Sequence, residues 1–301
     1  MADALPGATD IVESSSPPSR KIVEPGIYTG MPFEEYLAID AINQTGLKLF
    51  GRSPAHYLHS VIQEDEEDES AAKQRGTICH AGVLEPERFE QEYVIGPFVD
   101  LRTKAGKEEW AAFCAKHPGK YHIRGADGAA MLGARRAIWS QPFAKQILSD
   151  RGPIEVAVVW RDKPTGLLCK CRVDKLCEKM GIVIDLKTTP DAREDYFERS
   201  AWKFGYYRQA AMILDGLAAH RLVYDLFCII AVESNPKIHQ GSNVYEMLQE
   251  AMERGRRENA KALAKLAECK KTGKFPGYND DPIPLGIPSY VPDDKPIKLF
   301  Q

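Results

Sequence analysis

DKLCEKMGIVIDLK, residues 174–187, holds two aspartates, a short turn and a lysine two positions after the second aspartate. Just upstream, Leu168 to Asp174 (LCKCRVD) alternates apolar and polar residues, as a half-buried strand does. Gly181 to Lys187 (GIVIDLK) is rich in β-branched residues and follows Glu178-Lys179-Met180-Gly181, which suits a tight turn. A turn centred on Lys179 and Met180 sets Asp174 opposite Asp185 in an antiparallel pair. Directly opposed residues share a face, with Cβ atoms about 4.5–5.5 Å apart. Lys187, two residues beyond Asp185, joins that face. Two carboxylates so close repel one another unless a partner neutralises them. A hard divalent cation is one such partner, and Mg²⁺ prefers carboxylate oxygens. A lysine beside the ion can hold or activate a water. The same residues would also suit an exposed sheet on which Lys187 is only a salt-bridge partner.

Working outward, Ile154 to Trp160 (IEVAVVW) reads as a strand and Arg161 to Gly166 (RDKPTG) as a turn. A three-stranded antiparallel meander follows. Centring its first turn near Lys163 and Pro164 sets Glu155 opposite Arg172 and diagonal to Asp174. Glu155, Lys170, Arg172, Asp174, Asp185 and Lys187 then share one polar face. Val156, Val158, Trp160, Cys169, Cys171, Val173, Ile182, Ile184 and Leu186 share the apolar one. Glu194 to Leu217 reads as one long helix. Arg221 to Glu233 (RLVYDLFCIIAVE) reads as a strand buried on both faces. Val244 to Lys271 reads as a terminal helix with a basic cluster at Arg254, Arg256 and Arg257. The expected fold class is therefore α/β, a central mixed β-sheet (the meander plus a further strand) flanked by helices.

On the N-terminal side, residues 1–24 are rich in Ser, Pro, Ala and Asp and are expected to be disordered. Pro25 to Tyr36 carries turn signals, Gln44 to Phe50 suits a short helix, and Ala71 to Leu84 and Gly125 to Leu148 suit longer ones, the last interrupted near Pro142. Glu64 to Ser70 reads as a solvated acidic loop. Residues 96–124 mix helical and loop signals without a clear order. Ser53 is a natural cap for Ala55–Ile62, with Pro54 at the first helical position. A helix start with Ser53 and Arg52 beside it can hold a phosphate, or be an ordinary cap next to a surface arginine. His80, alone on its helix, is by residue type more often structural than a ligand. The folded domain is expected over residues 25–272, followed by a Pro-rich tail over 273–301.

With 301 residues, 44% of them hydrophobic, the chain can bury a sizeable core. It has no apolar run long enough for a membrane helix and no secretory pattern at its start. Seven cysteines, an odd number, suit free thiols in a cytoplasmic protein. The net charge of −3 does not exclude a nucleic-acid partner, because the run EDEEDE at 64–69 supplies six negative charges.

These segments together resemble the PD-(D/E)XK nucleases, and more closely the exonuclease VIII (RecE-type) branch found in phages and prophages. The resemblance is carried by INQTGLKLFGRSPAHYL (42–58), RGTICHAGVLEP (75–86), LCKCRVDKL (168–176), IVIDLKTT (182–189) and YYRQAAMILDGL (206–217). It implies that Asp174, Asp185, the Leu186 carbonyl and His80 hold the metal, that Lys187 is the catalytic lysine, and that Glu155 and Gln209 are catalytic too. Arg52, Ser53, Arg75, Lys170 and Arg172 are candidate DNA contacts. The implied activity is a Mg²⁺-dependent 5′-to-3′ exonuclease, with Mn²⁺ as a possible substitute, that degrades double-stranded DNA ends and leaves 3′ single strands for recombination. The implied partners are a single-strand annealing (RecT-like) protein and further copies of the chain in a ring. Two positions depart from the pattern. Val173 stands where the motif has proline. Ile213 stands where a tyrosine usually follows the glutamine by four residues, leaving Tyr206 or Tyr207 as substitutes. No iron–sulfur cluster is expected. A structure-specific or restriction-like endonuclease, and a non-catalytic DNA-binding module, are the alternatives.

Overall fold

The structure, a computed structural model, describes residues 21–62, 71–235, 237–279 and 281–286. The expectations for residues 1–20, for the acidic loop and for Pro288, Pro292 and Pro296 lie outside those residues. Strand β1 (Gly26–Tyr28) and helix α1 (Phe33–Ala38) lead into α2 (Gln44–Arg52), which Asn43 caps by accepting the Gly46 amide at 2.8 Å. Helix α3 (Pro54–Ile62) follows Ser53, whose hydroxyl accepts the His56 amide. Next come α4 (Ala71–Leu84), α5 (Pro86–Glu92), β2 (Tyr93–Ile95), α6 (Lys104–Lys116) and β3 (Tyr121–Ile123). β2 and β3 form a small parallel pair, β2 just ahead of the stretch 96–124 whose order the sequence does not reveal and β3 within it. Helices α7 (Gly125–Ser140) and α8 (Pro142–Leu148) part at Pro142 as expected.

The central sheet begins at β4 (Ile154–Arg161), β5 (Leu168–Cys177) and β6 (Ile182–Thr189). Helices α9 (Glu194–Phe204) and α10 (Tyr206–Ala219) follow, then β7 (Leu226–Glu233), β8 (Ser242–Glu246) and α11 (Gln249–Thr272). The larger sheet has six strands in the order β1-β4-β5-β6-β7-β8, antiparallel except for the β6–β7 pair. This is the mixed α/β sheet that the sequence pattern predicts.

Both faces of the sheet are covered. One cluster joins Val156, Val158, Trp160, Cys169, Cys171 and Val173 to Val183, Phe227 and Ile229, beneath α2, α10 and α11. The other joins Ile182, Ile184, Leu186, Cys228 and Ile230 to Cys79, Ile138 and Ile147 of α4, α7 and α8. The expected single apolar face is therefore split between two layers, and the reason lies at residue 174. Val173 and Leu176, an odd number of positions apart, both belong to the first cluster, so strict alternation fails between them. Opposite that point the β4–β5 pairing runs Ile154↔Lys175 and Val156↔Val173 and skips Glu155, whose φ is +51°. A left-handed backbone at a non-glycine residue costs on the order of 1–3 kcal/mol and persists only where surrounding packing imposes it. The observed pairing also corrects the first hairpin: Ala157, not Glu155, lies opposite Arg172.

Three further boundaries differ from the sequence reading. The expected helix 194–217 is two helices, because Gly205 takes the left-handed conformation (φ 74°) that closes α9. The strand expected from Arg221 starts at Leu226, since Arg221 is left-handed (φ 64°) and the Leu222 amide returns to the Leu217 carbonyl. Val244 belongs to edge strand β8 rather than to the terminal helix. There Tyr245 stacks on Phe197 and its hydroxyl donates to the Ala192 carbonyl, tertiary contacts that override local propensity.

Lys170 has a structural task instead of the expected phosphate contact. It is 4% exposed, and its ammonium donates to the carbonyls of Tyr36, Leu37 and Ile39 at 2.8, 3.0 and 2.8 Å. It thus terminates α1, where carbonyls point out of the helix end and favour a cation. Lys170→Ala leaves those carbonyls without this donor, and we expect a loss on the order of 3 kcal/mol in urea unfolding. Earlier proteolytic cleavage of residues 21–40 should accompany it; unchanged midpoint and cleavage would contradict this role.

Candidate active site

The site forms where the strands lose their regular pairing. The β5–β6 ladder ends at Lys175↔Ile184, and the same register one step on sets Asp174 opposite Asp185. There the Asp174 carboxylate takes the place of a ladder partner: its Oδ2 accepts the Leu186 amide at 2.6 Å. His80 reaches the same oxygen from α4, with Nδ1 at 3.5 Å. Helix α4 lies close to β6 because its Cys79 and Val83 enter the core. Glu155 arrives from β4 through its left-handed backbone, and Arg172 Nε holds its Oε2 at 2.5 Å. Arg172 is itself anchored by the Met31 carbonyl at 3.0 Å and by the rings of Phe33 and Tyr36.

One donor atom each from His80, Glu155 and Asp174 lies within 4.8 Å of the other two. Donors across a hard cation, each about 2.0–2.6 Å from it, would be roughly 4–5 Å apart. The donor chemistry, two carboxylates and an imidazole, suits a divalent cation. An imidazole in the set is a softer ligand than Mg²⁺ usually takes, so Mn²⁺ fits at least as well.

Asp185 sits deeper, 2% exposed, and is aimed by two donors. Its Oδ1 accepts Lys187 Nζ and Gln209 Nε2, each at 2.8 Å. Its Oδ2 is 2.7 Å from the same ammonium but makes no hydrogen bond, which leaves a buried carboxylate oxygen with coordination capacity to spare. That orphaned oxygen is a second feature that a divalent cation would fit. Burial raises the Asp174 carboxyl to about 6. His80 opposes that rise, Asp185 adds to it, Lys187 opposes it and Glu155 adds to it. For Lys187, burial alone would lower the pKa, but Asp185 and then Asp174 outweigh it and the value is raised. The ammonium therefore stays charged while the carboxylates are ionised.

The structure thus brings His80, Glu155, Asp174, Asp185, Leu186, Lys187 and Gln209 to one place. Of the two tyrosines named as substitutes, Tyr206 joins the site: its ring lies 5.1 Å from Lys187 Nζ, whereas Tyr207 turns away to bond Glu258 at 2.7 Å. The signal that separates the two tyrosines is Gly205, a helix-ending glycine after an apolar, lysine-bearing turn, which resets the helical phase between 204 and 206. The candidate DNA contacts are dispersed. Lys170 is buried, and Arg172 holds Glu155. Ser53 is buried with its hydroxyl 2.6 Å from His56 Nδ1, and Arg52 Nε donates to the Tyr278 hydroxyl. Arg75 shares α4 with His80 and lies 3.7 Å from Asp127, with its Nε buried and without a hydrogen bond. The seven cysteines are free, all but Cys114 are buried, and burial raises the thiols of Cys169 to about 12 and Cys177 to about 11, so those two fill the core as neutral groups.

Comparison with known proteins gives a family and a fold. The family model described as "PDDEXK-like domain of unknown function (DUF3799)" matches residues 44–281. A crystal structure from Eubacterium rectale, named a "Putative exonuclease", superposes with a TM-score of 0.54 over 85% of this chain and 97% of that one, at 12% identity. The crystal structure of SSO0001 gives a TM-score of 0.27 over 66% of this chain and 86% of that one, at 15% identity, and carries no weight. No curated protein matches the sequence. No helix among the described residues is long and apolar enough to cross a membrane.

Proposed function

Because the chain belongs to the PDDEXK-like family matched over residues 44–281, we propose that it is a divalent-cation-dependent nuclease that hydrolyses phosphodiester bonds in DNA. The observation that carries this reading is the convergence of His80, Glu155 and Asp174 on one point, beside the Lys187–Asp185 pair. His80, Glu155, Asp174 and Asp185 would hold the ion. When bound, a divalent cation polarises the scissile phosphate and lowers the pKa of a bound water.

The remaining work falls to side chains already in place. Lys187 presents a fixed positive charge to the oxygens that gain negative charge as the P–O bond breaks. It can also orient the attacking water and accept a hydrogen bond's worth of reorganisation without moving far, since Asp185 and the Tyr206 ring hold it. Gln209 fixes Asp185, and Arg172 fixes Glu155, so each carboxylate has its own positioning residue. A non-catalytic module would have no use for so complete a set.

The name given to the Eubacterium rectale protein favours an exonuclease, and the resemblance to the RecE-type branch favours one that acts 5′ to 3′ on double-stranded ends. A ring of copies and an annealing partner belong to the same reading. The test is incubation with linear duplex labelled at one 5′ or 3′ end, and with covalently closed circular duplex, in Mg²⁺, in Mn²⁺ and in chelator. We expect cation-dependent release of the 5′ label and intact circles. Cutting of closed circles would make the enzyme an endonuclease, and no hydrolysis in either cation would remove the nuclease reading.

A further inference from the structure

The end of α9 carries more exposed aromatic surface than packing requires. Trp202 and Phe204 are each 45% exposed, close to the Gly205 break that leads to Tyr206. Phe204 stacks on Tyr206 with ring centroids 6.0 Å apart and planes 28° apart, and Tyr206 in turn lies against Lys187. The aromatic surface is thus continuous with the catalytic lysine. Cations cover it. Lys48 of α2 and Lys203 place Nζ 5.1 and 5.7 Å from the Phe204 centroid. Arg254 of α11 lies 5.4 Å over Trp202, which also contacts Tyr207. Arg254 shares its charge with Glu258, whereas among the described residues no carboxylate pairs with either lysine.

Exposed rings with cations at their faces have a specific chemical complement: a polyanion that also offers flat apolar surfaces. A single polynucleotide strand is that ligand, because its bases stack on aromatic side chains and its phosphates meet the cations. A duplex offers its phosphates but keeps its base faces stacked inside. We infer that Phe204 and Trp202, with Lys48, Lys203 and Arg254, form a platform on which unpaired bases of a DNA strand stack beside the active site. The inference rests on the nuclease reading and deepens it, since it states that the strand is held unpaired next to the hydrolysed bond.

Binding is measured by anisotropy of a labelled oligothymidylate in chelator, so that no hydrolysis intervenes. Phe204→Leu and Trp202→Leu should each weaken binding about tenfold, whereas Phe204→Tyr, which keeps the ring, should bind like the parent. Lys48→Gln should lower the salt dependence by about one phosphate contact. An abasic oligonucleotide of equal length should bind the parent and the leucine variants alike. In hydrolysis, the leucine variants should raise KM on long substrates and leave kcat near the parent value. Equal affinity of parent and leucine variants for oligothymidylate overturns the platform. So does a change of oligomeric state with strand affinity unchanged, which would assign the rings to contact between copies. If the parent neither binds a strand nor hydrolyses DNA, the nuclease reading falls and takes the platform with it. If the parent hydrolyses DNA and the ring variants are indifferent, the platform alone falls.

Discussion

Lys187→Ala and Lys187→Gln should both lower kcat/KM for DNA hydrolysis on the order of 10³-fold, in Mg²⁺ and in Mn²⁺ alike. The magnitude is that of removing one preorganised charge aimed at a transition-state oxygen. The two variants separate chemistry from folding. Lys187→Ala strips the buried Asp185 carboxylate of its ammonium and leaves Gln209 as its remaining hydrogen-bond donor. An unpaired buried charge costs on the order of 3–5 kcal/mol, so this variant should also be less stable. Lys187→Gln restores a hydrogen-bond donor to Asp185 without the charge and should lose less stability than Lys187→Ala. Its inactivity then reports on catalysis. Wild-type turnover in both variants would remove Lys187 from the mechanism.

Asp174→Asn should have opposite effects on stability and on activity. In the metal-free protein the Asp174 carboxyl is raised to about 6, chiefly by burial, above an ordinary value of 3.8. A raised acid contributes stability that is fully present below its unfolded pKa and lost as pH rises through its folded one. Metal-free protein should therefore lose stability between about pH 4 and pH 6, by on the order of 3 kcal/mol from this group. Asparagine carries no charge to bury and keeps an acceptor for the Leu186 amide. Without metal at pH 7.5 the variant should melt several degrees above the parent, and its midpoint should be flatter with pH. Saturating Mn²⁺ should raise the parent by about 2–3 kcal/mol at a hundredfold excess over Kd, and raise the variant little. Hydrolysis by the variant should be undetectable. A parent whose midpoint ignores both Mn²⁺ and Mg²⁺ would contradict the metal site.

Much of this site is legible in the sequence because a hairpin is a local object. The turn at Lys179 and Met180 is short, Gly181 takes the φ of 66° that it needs, and register follows from symmetry, so Asp174 and Asp185 can be paired by counting. What counting cannot reach is the switch of faces at Glu155 and Asp174. Alternation assumes that every residue of a strand is extended, and Glu155 is not. The error propagates: residues assigned to one polar face reach different layers, Lys170 under α1 and Lys187 under α10. Lys170 and Arg172 look like free cations for phosphate because their partners, the carbonyls of Met31 and of Tyr36, Leu37 and Ile39, are more than a hundred residues away in sequence. Edge strands β1 and β8 are short and acquire their conformation from the neighbours they pair with, which no local pattern records.

The mooring of Glu155 runs outward from the chemistry. Its carboxylate is held by Arg172, and Arg172 by Met31, Phe33 and Tyr36. Those three residues precede position 44, where the family match begins. A chain trimmed to the matched span would retain His80, Glu155, Asp174, Asp185 and Lys187, yet it would release the buttress behind the left-handed backbone of Glu155. In this protein the segment ahead of the shared domain acts as a keystone: the aim of the Glu155 carboxylate depends on it.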